Sequence, residues 1–150
     1  YGAGPPGGAG SAAAGDIMLS AVQGGLCCRG VCVGLHLLFG SRGAGDGEGL
    51  GIVGGVVERL RAQHVPQMGW NDIEDVDDLL FARSSLRTAY YANSFVCRPT
   101  DPAVVTAWST HDGDRFPAAV RAGNVVGVQF HPEKSSIPGV RFIEEFLRTC

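Results

Sequence analysis

Apolar positions along this chain repeat in two periods, one helical and one alternating, and the segments interleave. Ile17, Met18, Ala21 and Val22 fall at helical spacing over residues 16–23, and Gly24-Gly25 is a natural stop. Residues 26–33 read as a short apolar strand interrupted by Arg29. Gly34 then turns the chain into a helical run of Leu35, Leu37, Leu38 and Phe39 that ends near Gly40. A Gly-rich loop over 43–55 leads to a strand over 56–62 and an ordered loop over 65–71, and the acidic stretch 72–83 can start a short helix. Strands are expected over 89–97 and 103–109, and a hairpin joins 116–121 to 125–130 through Gly123-Asn124. In the last segment Val140, Ile143, Phe146 and Leu147 form the apolar stripe of an amphipathic helix. Strands mixed with helices predict an α/β fold.

Composition narrows this picture. The chain has 150 residues, 45% of them hydrophobic, which is enough for one domain with a real core, so a single domain over 1–150 is expected. Residues 1–15 are almost wholly Gly, Ala, Pro and Ser, cannot bury enough side chain to offset their ordering entropy, and are expected to be flexible. A formal net charge of -3 provides neither a nucleic-acid footprint nor a polybasic membrane face, and no apolar run is long enough to span a bilayer. The 5 cysteines form neither a disulfide scaffold nor paired metal-ligand spacings, which favours a reducing cytoplasm and no metal or cofactor. The chain opens at Tyr1 with no initiator Met and no secretory leader pattern, as a fragment would.

Two short motifs carry chemistry. Gly30-Val31-Cys32-Val33-Gly34 lies at a strand-to-helix junction and has the form of a nucleophile elbow with Cys in place of Ser. Such a turn strains the nucleophile's backbone and presents its thiol at a helix N-terminus, where the helix dipole lowers the thiol pKa. A buried structural Cys between turn glycines is the alternative. The second motif, Gln129-Phe130-His131-Pro132-Glu133-Lys134-Ser135, follows an apolar strand; His131 is a candidate general base and Glu133 its orienting carboxylate. An H-x-E pair alone is also compatible with incidental surface polarity or metal ligation. An early elbow Cys and a late strand-end His-Pro-Glu together supply nucleophile, base and orienting acid.

On Cys32, His131 and Glu133 the sequence resembles the class I glutamine amidotransferases. The resemblance implies an open mixed sheet flanked by helices, of flavodoxin-like type, and hydrolysis of the glutamine side-chain amide through a Cys thioester. Within the class, Val65-Pro66-Gln67-Met68-Gly69-Trp70-Asn71, residues 129–135 and Pro138-Gly139-Val140-Arg141-Phe142 resemble the glutaminase subunits of imidazole glycerol phosphate synthase, which serve histidine biosynthesis. That likeness covers roughly residues 30–147. It implies that Gly34, His36, Asn93, Ser94 and Phe95 border bound glutamine and that Val33 and Gly8, the latter in Pro6-Gly7-Gly8-Ala9-Gly10, serve the oxyanion. It also implies that Met68, Trp70 and Asn71 meet a (β/α)8-barrel cyclase subunit that receives the ammonia. Residue by residue, Trp70 is equally an ordinary core anchor, and 90–95 an ordinary aromatic strand.

Four positions depart from the family pattern. His36 stands where the family has Gln, Asn93 and Gln67 where it has His, and Arg29 enters a strand whose burial favours an apolar side chain. The family's first β-α-β unit is expected to occupy more sequence before the elbow than is present. Two other readings follow, a noncatalytic subunit that keeps the fold and docking surface, and an amidotransferase subunit serving another synthase. A general cysteine hydrolase is disfavoured by the joint presence of the Met-Gly-Trp-Asn and His-Pro-Glu-Lys-Ser blocks.

Overall fold

The computed structural model describes residues 20, 21, 23–42 and 50–150. The helix expected over 16–23, the flexible segment 1–15 and Gly8 therefore lie largely or wholly outside the described residues. Among the described residues the strands and helices from Cys28 onward are, in order, β1 (Cys28–Val31), α1 (Val33–Leu37), β2 (Phe39–Arg42), β3 (Val53–Arg59), β4 (Gln67–Asp72), α2 (Leu79–Ser84), β5 (Thr88–Asn93), β6 (Phe95–Pro99), β7 (Val105–His111), β8 (Asp114–Ala122), β9 (Val125–Val128) and α3 (Ser136–Arg148). Single 3-10 turns cover Pro102–Val104 and Pro132–Lys134.

The main sheet runs β1-β9-β8-β7, with β1 parallel to β9 and the remaining pairs antiparallel. A second sheet, β2-β3-β6, and a two-stranded ribbon, β4-β5, complete an open α/β arrangement of the expected class. Every residue of β9 is buried, as its unbroken Val125-Val126-Gly127-Val128 run requires of a strand covered on both faces. Gly127 is the close approach within it: a Cβ there would lie 2.5 Å from Leu35 Cδ1. On one side of the sheet an aromatic cluster joins Phe81, Phe130 and Phe142, with centroids 4.9 Å apart for Phe81–Phe142 and 5.7 Å for Phe130–Phe142. On the other, Leu35, Leu38, Phe39, Val53 and Val57 pack together.

Several expected elements shift. The hairpin through Gly123-Asn124 forms, pairing Ala122 with Val125. The ordered loop expected over 65–71 is instead largely strand β4, whose backbone bonds to β5 in a continuous register from Gln67↔Asn93 to Asp72↔Thr88. Strand 89–97 is broken into β5 and β6 at Ser94. Phe39 leaves the expected helix to pair with Val53 in β2. Helix α2 begins at Leu79 rather than in the acidic stretch before it, because Asp78 caps it, accepting the Leu80 N–H at 2.9 Å. Helix α3 exists, but its buried stripe is Gly139, Phe142 and Phe146, while Val140 and Leu147 are exposed. A Cβ on Gly139 would run into Pro132 and Ser135, so this face sits tightly on the turn that carries the candidate base. Arg29 keeps its place in β1 by laying its guanidinium 5.9 Å from the Phe146 ring centre, although its Nη1 is buried with no hydrogen-bond partner among the described residues.

Candidate active site

Parallel pairing of β1 with β9 sets Val31 beside Val128, so the next residues, Cys32 and Gln129, leave the sheet side by side at its C-terminal edge. That edge is where open α/β sheets place their ligand sites. The Cys32 N–H bonds the Val128 carbonyl at 2.9 Å, and the residue then turns sharply into α1 with φ 50° and ψ -103°. A side chain held at positive φ is strained, the expected signature of an elbow. Gly30 makes the turn possible: a Cβ there would lie 2.6 Å from the Gly34 backbone.

The second arm arrives from β9. His131 bridges to β5, its N–H bonding the Tyr90 carbonyl at 2.8 Å, and its Nδ1 meets Glu133 Oε1 at 2.9 Å. Pro132 starts the 3-10 turn that brings Glu133 back to the imidazole. Ser135 locks the turn: its hydroxyl donates to the His131 carbonyl at 2.6 Å and accepts the Tyr90 N–H at 3.0 Å. With Nδ1–H engaged by a carboxylate, Nε2 is the nitrogen left to exchange a proton with a thiol.

The thiol is half-buried and touches the Ala92 carbonyl of β5 at 3.7 Å. Burial pushes its pKa up, the Val33 N–H and the Gln129 carboxamide pull it down, and the Glu133 charge pushes it up again, with burial dominant. This corrects the expectation of a lowered pKa, because α1 has only 5 residues and its dipole is too short to outweigh desolvation. A thiol held up in this way gives its proton to a base during attack.

The residues expected to border glutamine separate into two kinds. A Cβ on Gly34 would meet nothing within 4 Å, so the elbow leaves open space at this position. His36, Asn93, Ser94 and Phe95 are engaged by the protein itself. His36 is buried with Nε2 at 2.8 Å from Gln129 Oε1. Asn93 is buried, accepting from Gln67 Nε2 at 3.0 Å and donating to the Phe95 carbonyl at 3.1 Å. The Ser94 carbonyl accepts the Leu60 N–H at 2.9 Å, and Phe95 packs on the second core cluster.

Met68 and Trp70 are 63% and 55% exposed on one face of β4, and Trp70 meets Tyr90 edge-on at 6.1 Å. Trp70 is therefore no core anchor. Asn71 faces the other way, its amide donating to Gln67 Oε1 and the Thr110 carbonyl, each at 2.8 Å, because alternation along β4 turns it inward. Gln129 is the residue whose role went unread in the sequence; the available signal was a polar side chain at the end of a wholly apolar strand. Among the described residues no group of three His, Cys, Asp or Glu side chains is arranged to hold a metal ion. A concavity of about 760 Å³ opens near the hairpin tip at Gly123 and Asn124 and contains none of Cys32, His131 and Glu133. No helix among the described residues is long and apolar enough to cross a membrane.

Comparison with known proteins gives the family. The family described as Glutamine amidotransferase class-I matches residues 5–150. The chain is similar to "Imidazole glycerol phosphate synthase subunit HisH" of Rhodopirellula baltica, 44% identical over 124 residues, covering 78% of this chain and 59% of that protein. The proteins of the same name from Gloeothece citriformis and Halobacterium salinarum are 38% and 37% identical, over 79% and 90% of this chain and 59% and 66% of theirs. The chain thus spans less than two thirds of the length of these relatives. Among solved structures, a glutamine amidotransferase superposes with a TM-score of 0.61 at 24% identity, covering 89% of this chain and 66% of that one. Another, from Thermotoga maritima, gives 0.53 at 18% identity, covering 92% and 54%, and both likenesses concern the fold. With the elbow, the His–Glu pair and a family match running through nearly all of its length, this chain belongs to the class-I glutamine amidotransferases.

Proposed function

We propose that this chain is the glutaminase part of an imidazole glycerol phosphate synthase, releasing ammonia from L-glutamine for a (β/α)8-barrel cyclase subunit in histidine biosynthesis. The observation that carries the reading is the convergence of Cys32 and the His131–Glu133 pair, bonded at 2.9 Å, at one edge of the sheet. His131 Nε2 takes the Cys32 proton as the sulfur adds to the glutamine amide carbon, and the Val33 N–H faces the oxyanion. His131 returns the proton to the departing nitrogen, leaving a γ-glutamyl thioester. Water, deprotonated by His131, then releases glutamate and restores the thiol. Glu133 holds the imidazole in the required tautomer and stabilises its charged form.

Docking of the cyclase is supported by the neighbouring surface. Met68 pairs across the ribbon with Ala92, whose carbonyl touches Cys32 Sγ, so the exposed Met68–Trp70 face begins one strand away from the nucleophile. The five unpaired thiols fit a reducing cytoplasm. A second reading, a noncatalytic subunit of the same fold, is favoured by one observation: His36 and Asn93 spend hydrogen-bonding atoms on protein amides instead of on open space.

Trapping with a diazo-ketone glutamine analogue and peptide mapping separates the two, with Cys32→Ala as control. Labelling confined to Cys32 and blocked by excess glutamine is the expected result. Folded protein that takes no label even with its cyclase partner selects the noncatalytic subunit, and activation by the synthase of a different pathway redirects the ammonia elsewhere.

A further inference from the structure

The geometry points to a relay in which His36 acts as a positioning residue, fixing the Gln129 carboxamide so that its N–H groups hold the Cys32 sulfur. Gln129 is completely buried, so each of its polar atoms needs a partner within the protein. Its backbone N–H bonds the Ala118 carbonyl at 2.9 Å, its Oε1 lies 2.8 Å from His36 Nε2, and its Nε2 lies 3.7 Å from Cys32 Sγ. Once His36 donates from Nε2, only one orientation of the carboxamide is satisfied, with oxygen toward the imidazole and NH2 toward the sulfur. His36 is itself held by the elbow, its N–H bonding the Cys32 carbonyl at 3.2 Å. The three side chains thus close a ring through the first turn of α1.

An N–H aimed at sulfur stabilises the thiolate more than the thiol, and so opposes the penalty that burial imposes. The other groups acting on Cys32 are the Val33 N–H from α1, the Ala92 carbonyl from β5, and the charge of Glu133, bonded to His131, from the turn after β9. Of these only Glu133 opposes the thiolate by charge. The relay therefore supplies a fixed donor to the sulfur. It also accounts for the departure at position 36, where a second donor-bearing side chain occupies the place of the family's Gln.

This inference rests on Cys32 being the nucleophile, so its test reads the thiol and not glutamine turnover. In the full chain, the rate of iodoacetamide alkylation at Cys32, followed by peptide mapping from pH 6 to 10, reports the thiolate fraction directly. Gln129→Leu and His36→Leu are expected to slow alkylation about tenfold at neutral pH by moving the profile up roughly one pH unit. Gln129→Glu, which keeps the shape but offers sulfur an anion, is expected to move it further. His36→Gln, able to donate to the same oxygen, is expected to restore the original profile. Folded variants whose profiles overlie that of the unmodified chain overturn the relay. Should the Gln129 variants fail to fold, the Gln129 side-chain amide resonances of the unmodified chain decide: they shift as Cys32 titrates and on Cys32→Ala if the relay exists, and stay still if it does not.

Discussion

Gln67 on β4 and Asn93 on β5 stand directly opposite one another, and the Gln67 amide donates to the Asn93 carbonyl at 3.0 Å. Both are positions where the family resemblance implies His, so two departures that look independent along the chain form one contact. Asn71 extends the contact by donating to Gln67 at 2.8 Å, and Asn93 ends it on the Phe95 carbonyl. The chain of amides ties the inner face of β4 to the turn between β5 and β6, where the bound amino acid is proposed to lie.

Coupling between the two is measurable by a double-mutant cycle. Gln67→Leu and Asn93→Leu each strand a buried amide and are expected to cost about 1–3 kcal/mol in urea unfolding. The double variant is expected to cost at least ~0.5 kcal/mol less than the sum, since both partners go together. Strict additivity would mean that the contact contributes nothing.

Gly30 and Gly34 bracket the nucleophile but answer to different demands. Gly30→Ala drives a Cβ to 2.6 Å from the Gly34 backbone and is expected to destabilise by about 1–3 kcal/mol while displacing Cys32. Gly34→Ala meets nothing within 4 Å, sits in a helix that favours Ala, and is expected to leave the melting temperature unchanged or higher. The same methyl enters the open space at the elbow, so KM for glutamine should rise if Gly34 borders the substrate as proposed. Equal losses of stability in both variants would contradict this assignment.

Acid sensitivity is expected at Asp112, whose pKa is lowered first by the His64 backbone N–H and then by its imidazole, at 2.8 and 2.9 Å. A carboxyl whose folded pKa is depressed adds stability that is present above its unfolded pKa of about 4 and is lost as pH falls through the folded value. Asp112→Asn should therefore lower the melting temperature near neutral pH, with the gap to the unmodified chain closing below about pH 4. A gap that persists undiminished at pH 3 would exclude this origin. Asn tolerates the φ of 48° at this position, so backbone strain does not confound the comparison.

The chemistry of the site was legible because it is written in local blocks. An elbow needs small residues at fixed offsets around its Cys, and a His-x-Glu pair separated by Pro needs no distant partner to be recognised, so Cys32, His131 and Glu133 stood out together. Local period likewise sufficed for the 123–124 hairpin and for the existence of α3. It did not suffice for which face of α3 is buried: Phe142 and Phe146 face the core because Phe81 and Phe130 wait there, whereas Val140 and Leu147, no less apolar, remain exposed.

What only the tertiary structure decided is how distant polar residues are satisfied. The β4 segment offered only Met68 and Trp70 as alternating apolar positions, with a Gly between them, and becomes a strand because β5 supplies its hydrogen bonds. His36, Asn93 and Asn71 are set by family resemblance near a ligand or a partner, yet His36 and Asn93 are buried, Asn71 is half-buried, and each bonds within the protein, to Gln129, Gln67 and Thr110. The sequence by itself determined which residues are candidates for the chemistry, since their spacing is local. Burial and long-range pairing, which no window of sequence contains, decided the pKa of Cys32 and the partners of every polar group around it.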